Sequence, residues 1–101
     1  MKFDNSRAFN HLVKRGIVAT MRAGKFYKRG RVVKITRHNK IVGRGVIIDV
    51  VPNTRENRGK YLDISGFDSV EEWEEEARQL YKGRLPDCIV IVGLMGLFRR
   101  A

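Results

Sequence analysis

Hydrophobic residues recur along this chain with different rhythms, and each rhythm predicts a different element. From Cys88 to Phe98 every position except Gly93 and Gly96 is apolar. A strand with one wet face alternates, so an unbroken run predicts a central β-strand covered on both sides. Residues 31–37 do alternate, with Val33 and Ile35 on one face and Lys34 and Thr36 on the other, as a half-buried strand should. His38-Asn39-Lys40 then reads as a turn. The return strand, Ile41–Val51, sets Val42, Arg44, Val46, Ile48 and Val50 on one side. Gly43 and Gly45 flank Arg44, which points to a bulge or a close backbone approach. Ile17–Arg22 is a short strand that Gly24 ends.

Two stretches repeat at the helical period instead. Phe9, Leu12 and Val13 form one stripe, with Asp4 or Asn5 to cap it and Gly16 to stop it. His11 falls off that stripe and reads as a solvated residue. Farther on, Ser69 and Glu72 make a capping box, Val70, Trp73, Ala77, Leu80 and Tyr81 share a face, and Gly83 stands at the expected stop. The acids between Glu71 and Glu76 fall in the first two turns, where the helix dipole favours them. Glu74, Glu75 and Glu76 read as a solvated face, whereas Glu72 must either cap its own helix or turn toward a neighbouring site. Residues 52–60 read as a polar surface loop carrying Arg55, Arg58 and Lys60, and residues 61–64 as a short strand or an extended link. The whole, residues 1–101, predicts a single α+β domain, long enough to bury a core of its own.

Charge changes this picture. From Asn5 to Ile48, 44 residues, there is no Asp or Glu, while twelve Lys and Arg occur. Residues 1–60 carry +13 and residues 61–101 carry −3. Cations so concentrated repel one another unless they line a surface that meets an anionic partner. Within the stretch, Lys25-Phe26-Tyr27-Lys28-Arg29-Gly30 interleaves aromatic and basic residues, the combination with which single-stranded nucleic acid is stacked and neutralised. Each ring has a plainer alternative, plugging the end of the core. Cys88 is the lone cysteine, so there is no internal disulfide, and it reads as a small buried hydrophobe. With His11 and His38 as the only histidines, a metal site is not expected, nor is any cofactor. No apolar run reaches the ~18 residues of a membrane helix and no signal peptide is apparent, so a reducing cytoplasm is the expected compartment. Abundant Arg, Lys and Glu with few Asn and Gln suit an archaeal or other thermophilic source.

The order of helix, Thr-x-Arg strand, basic loop, hairpin, capped acidic helix and apolar strand resembles the ASCH domains of the PUA-like superfamily. The pieces that carry the resemblance are Thr20-Met21-Arg22, Arg29-Gly30, Ser69-Val70-Glu71-Glu72-Trp73 and Leu80-Tyr81-Lys82-Gly83. The resemblance implies a small, mostly antiparallel β-barrel flanked by two main helices, with a cleft between them suited to RNA or a modified nucleoside. Some bacterial members hydrolyse N4-acetylcytidine with a lysine, a threonine and a glutamate. By that pattern Thr20, Arg22 and Glu72 fall on family positions, but the lysine position falls on Ile17. Isoleucine cannot activate a nucleophile, which lowers the enzyme reading below the binding one.

The sequence therefore predicts an RNA-binding module, non-catalytic, whose basic cleft uses Thr20, Arg22, Lys25, Phe26, Tyr27, Lys28, Arg29, Arg31, Lys34, Arg37, Arg44 and Glu72. In that cleft Arg22 would donate to phosphate or a base edge, Thr20 would offer a hydroxyl, and Glu72 would accept from an amino group or hold Arg22. The alternatives are an N4-acetylcytidine amidohydrolase or ribonuclease in which Thr20 and Glu72 are catalytic, and a ribosome-associated structural protein. All rest on the cations gathering around one groove.

Overall fold

The run from Cys88 to Leu97 forms the strand β4, and it lies inside the sheet. In a computed structural model that describes residues 1–98, so that the last three residues of the predicted domain lie outside the described residues, four strands pair antiparallel. β1 (Ile17–Arg22), β2 (Val32–Arg37), β3 (Lys40–Pro52) and β4 stand in the order β1-β4-β3-β2. Three α-helices accompany them, α1 (Ser6–Arg15), α2 (Arg55–Tyr61) and α3 (Val70–Leu80). The two faces of β4 feed two separate cores. Val90 and Val92 meet Phe3, Leu12, Val18, Ile35 and Ile47 beneath α1. Ile89 and Ile91 meet Ala19, Met21, Trp73 and Ala77 beneath α3. Full burial of one such side chain is worth about 1.5–3 kcal/mol.

The sheet is open, with β1 and β2 as its edges, and a closed barrel is not shown. What lies at the free edge of β2 is the segment Met1–Phe3, which makes one isolated parallel bridge, Lys2 to Thr36, where a further barrel strand would pair along its length. The Phe3 N–H donates to the Thr36 carbonyl (2.8 Å) and the Thr36 N–H to that of Met1 (2.9 Å). Phe3, held there, is buried in the α1-side core.

Local sequence explains most element ends. Asn5 caps α1 through its side chain and Gly16 ends it in the left-handed region. The buried stripe of α1 is Ala8 and Leu12, while Val13, predicted on it, is 37% exposed. His11 also departs from its predicted role: its Nδ1 lies 2.7 Å from the Ile17 carbonyl, tying α1 to β1. The hairpin turn is two residues, His38 and Asn39, both with positive φ, the form whose twist matches the flanking strands.

β3 departs from simple alternation. Two residues of β3 are skipped in the pairing, Val42 against β2 and Ile48 against β4, and these shifts split the predicted row. Val42 and Val50 pack against the α1-side core with Ile47, while Arg44 and Ile48 face solvent. A bulge adds one residue and turns the following side chains over, which is why the period of two fails here. The flanking glycines permit it: a Cβ on Gly45 would lie 2.9 Å from the Gly93 carbonyl.

The predicted loop at 52–60 is mostly α2, capped by Thr54, whose hydroxyl accepts from the Asn57 N–H at 3.1 Å. A 3-10 turn, Leu62–Ile64, replaces the predicted strand or link. Arg58 is not a free surface cation, because it is half-buried against Glu74, 3.6 Å away, and Glu74 also pairs with Arg78 at 3.1 Å. Glu74 therefore leaves the predicted solvated face to join α2 to α3.

Candidate nucleic-acid interface

β1 ends where three other pieces of chain meet it: the Met1–Phe3 segment, the Ser65–Phe67 turn and the inner face of α3. Between them is a cavity of about 340 Å³. Its apolar wall includes Met21, Phe67, Trp73 and Tyr81, and its polar groups include Lys2, Asp4, Thr20, Arg22 and Glu76. Gly66 makes the approach of that turn possible. Its φ is +88°, and a Cβ there would fall 2.5 Å from the Arg7 carbonyl. Buried Ser65 fixes the turn, donating to the Leu62 carbonyl (2.7 Å) and accepting from the Phe67 N–H (3.0 Å).

Arg22 governs the polar side of the cavity. Its Nε donates to Thr20 Oγ1 at 3.2 Å and its Nη2 to the Lys2 carbonyl, while the guanidinium lies over the Phe3 ring, 5.1 Å from the centroid. The side chain is thereby fixed on three sides, with N–H donors of the planar fork still to offer. Thr20 is 8% exposed, so its hydroxyl belongs to the cavity wall rather than to solvent.

Glu72 is elsewhere. Its carboxylate pairs with Arg7 of α1, which raises the Arg7 pKa above its ordinary value through that hydrogen bond and the charge beside it. It borders a shallow outer groove, and the glutamate of α3 that reaches the cavity is Glu76, one turn farther on. Ile17, which stands where the family lysine is expected, is paired with Gly93 near the other end of β1, and the lysine lining the cavity is Lys2.

The remaining predicted residues are not brought to this cavity. Lys25 lies 5.0 Å over the ring of Phe26, which is 70% exposed, whereas Tyr27 packs against the α1-side core as a plug. Lys28, Arg29 and Arg31 are exposed on the same loop, which closes on β3 through Gly30 N–H to the Ile47 carbonyl (2.7 Å) and Ile47 N–H to that of Arg31 (2.8 Å). Arg37 is half-buried and committed, donating to the Phe3 carbonyl (2.7 Å) and Ser6 Oγ (3.0 Å) and stacking over Phe9 at 4.6 Å. Lys34 and Arg44 stand opposite each other on the outer side of the hairpin. The cations predicted to line one groove thus stand in three places instead, Arg22 at the cavity, Lys25, Lys28, Arg29 and Arg31 on the loop, and Lys34, Arg37 and Arg44 on the hairpin.

Sequence reasoning did not identify the Met1–Phe3 segment or Glu76 as part of a site. The signal for Glu76 was its spacing, since it precedes buried Ala77 and sits three residues after Trp73. The Cys88 thiol, at the far end of β1 from Ile17, is pushed up in pKa by burial and by Asp87, so it holds its proton at neutral pH. Among the described residues no group of three or more His, Cys, Asp or Glu is placed to hold a metal ion, and no helix is long and apolar enough to cross a membrane. Comparison of the chain with protein-family models, with curated proteins and with solved structures returns no match.

Proposed function

We propose that this chain is an RNA-binding module of ASCH, PUA-like type that takes one unpaired nucleoside into the cavity at the end of β1, while phosphates farther along the strand meet the basic loop that follows β1. The observation that carries the reading is the meeting of Thr20 and Arg22 with Trp73 and Tyr81 around one space, although more than fifty positions separate the two pairs in sequence. These are residues of the motifs on which the family resemblance rests. A cavity of about 340 Å³ lies at the small end of ligand pockets, room for a nucleoside and not for an oligonucleotide. Its aromatic wall suits a base, and its hydroxyl, guanidinium and carboxylate suit the edge of one. Phosphate neutralisation falls to Lys25, Lys28 and Arg29, which are exposed on the loop that follows Arg22 in the chain and stand apart from the cavity wall.

Fluorescence anisotropy with a labelled single-stranded RNA tests this. Affinity should fall linearly in log salt, and Arg22→Gln and Tyr81→Ala should each weaken binding about ten-fold, the order expected for one charged hydrogen bond or one stacked ring. A flat salt response, or variants that bind like the parent, overturns it.

A second reading draws on Lys2. Lys2, Thr20 and Glu76 line the same cavity, the residue types an N4-acetylcytidine amidohydrolase uses, though here the lysine and the glutamate come from other positions. Such an enzyme would consume water and release cytidine and acetate. Incubation with N4-acetylcytidine decides the matter, and the absence of cytidine at high protein concentration removes this alternative.

A further inference from the structure

The two halves of the sheet are covered differently on their outer side. α3 packs over Ala19, Met21, Ile89 and Ile91, but Val32, Val46, Ile48 and Phe98 belong to neither core. On this face Val32 pairs with Val46 and Lys34 with Arg44 across the β2–β3 hairpin. Val32 is 56% exposed and Phe98 52%. Arg44 reaches over the Phe98 ring, 5.8 Å from its centroid.

Lys34 and Arg44 are like charges directly opposed on neighbouring strands, an arrangement that repels. Neither forms an ion pair with an acid among the described residues. An anionic occupant would reverse the sign of that interaction. The exposed ring beside the cations narrows the choice. An acidic peptide would satisfy Lys34 and Arg44 and leave Phe98 without a partner, and a duplex keeps its bases stacked away from a side chain. A single strand brings phosphates and free base faces together.

We propose that the outer face of the β2–β3 hairpin is a second contact for single-stranded RNA, distinct from the cavity, with phosphates on Lys34 and Arg44 and a base stacked on Phe98. It rests on the reading of the chain as an RNA-binding module and adds the path along which the strand leaves the cavity's neighbourhood.

Anisotropy of a fluorescein-labelled oligouridylate, titrated with the full chain over a series of salt concentrations, tests it. The double variant Lys34→Ala, Arg44→Ala should lower the slope of log affinity against log salt by about 1.4, the loss of two single-strand phosphate contacts. Phe98→Ala should weaken binding about ten-fold with the slope unchanged. Lys34→Glu, which sets opposite charges face to face, should raise the melting temperature while weakening RNA binding, so a loss of affinity there does not come from unfolding. If the parent binds but the double variant keeps its slope and affinity, this contact is refuted and the cavity reading stands. Should the parent fail to bind at low salt, both fall. A polyglutamate peptide that competes as well as RNA of equal charge, with Phe98→Ala without effect, assigns the face to an acidic protein and overturns the proposal.

Discussion

The β1–β4 half of the sheet and the β2–β3 hairpin are built from the same antiparallel pairing but held in place by different forces. The first lies between α1 and α3 and is fixed by buried aliphatic and aromatic side chains on both faces. The hairpin joins a core only on its face toward α1. Its other restraints are polar: Arg37 to the Phe3 carbonyl, the His38 N–H to Asp4 at 2.8 Å, and Thr36 to Met1. Burial is nondirectional and costs nothing to align, whereas each polar tie must beat the water it displaces. The covered half can therefore enclose a rigid cavity. The hairpin can present cations to solvent because little of its stability depends on what lies above it.

Equivalent truncations in the two halves give the largest contrast. Ile89→Ala, in the fully buried row, should cost about 2–5 kcal/mol in urea unfolding, while Val32→Ala on the bare face should stay within about 0.5 kcal/mol. Similar losses at both positions would mean that the outer face is covered after all. Next comes the ion pair that joins α2 to α3. Arg58→Ala should cost roughly 1–3 kcal/mol, with Arg78 tempering the loss by keeping Glu74 paired. A smaller effect is expected from Asp4, whose carboxyl is held below its ordinary range chiefly by the His38 N–H. Because the folded pKa is lowered, its contribution is present above the unfolded value of about 3.9 and is lost as pH falls through the folded one. The melting temperatures of the parent and Asp4→Asn should thus differ at neutral pH and converge in acid. A gap that persists when the carboxylate is protonated would show that the tie does not depend on charge.

The covered half was legible because its signals are local. Continuous apolarity in β4 can be satisfied only with neighbours on both faces, and Ser69 marks the start of α3 by satisfying the Glu72 N–H at 3.2 Å. β2 and the turn at His38 and Asn39 were equally plain. What escaped the sequence depends on distance or on a change of period. α2 has no apolar stripe and contains Gly59, so nothing but its Thr54 cap announces it. The extra residues at Val42 and Ile48 put Val42 and Val50 on the face opposite Arg44, which no period-two reading can produce. The cavity combines Lys2, Thr20 and Glu76, and only packing makes them neighbours. The acid-free stretch of twelve cations was plain in the sequence, but that Arg22 and Arg37 are drawn to the backbone carbonyls of Lys2 and Phe3 was not.

The position of β4 between β1 and β3 has a consequence for the growing chain. A ribosome releases residues 1–87 before the strand that separates the first and third strands in space, so neither core can close while those residues wait. Pairings of such long sequence separation form late and slowly, and until then β1 and β3 each expose an unpaired edge to other nascent chains. The two cores must therefore close after Leu97 has emerged, and a chain interrupted before Cys88 is expected to aggregate.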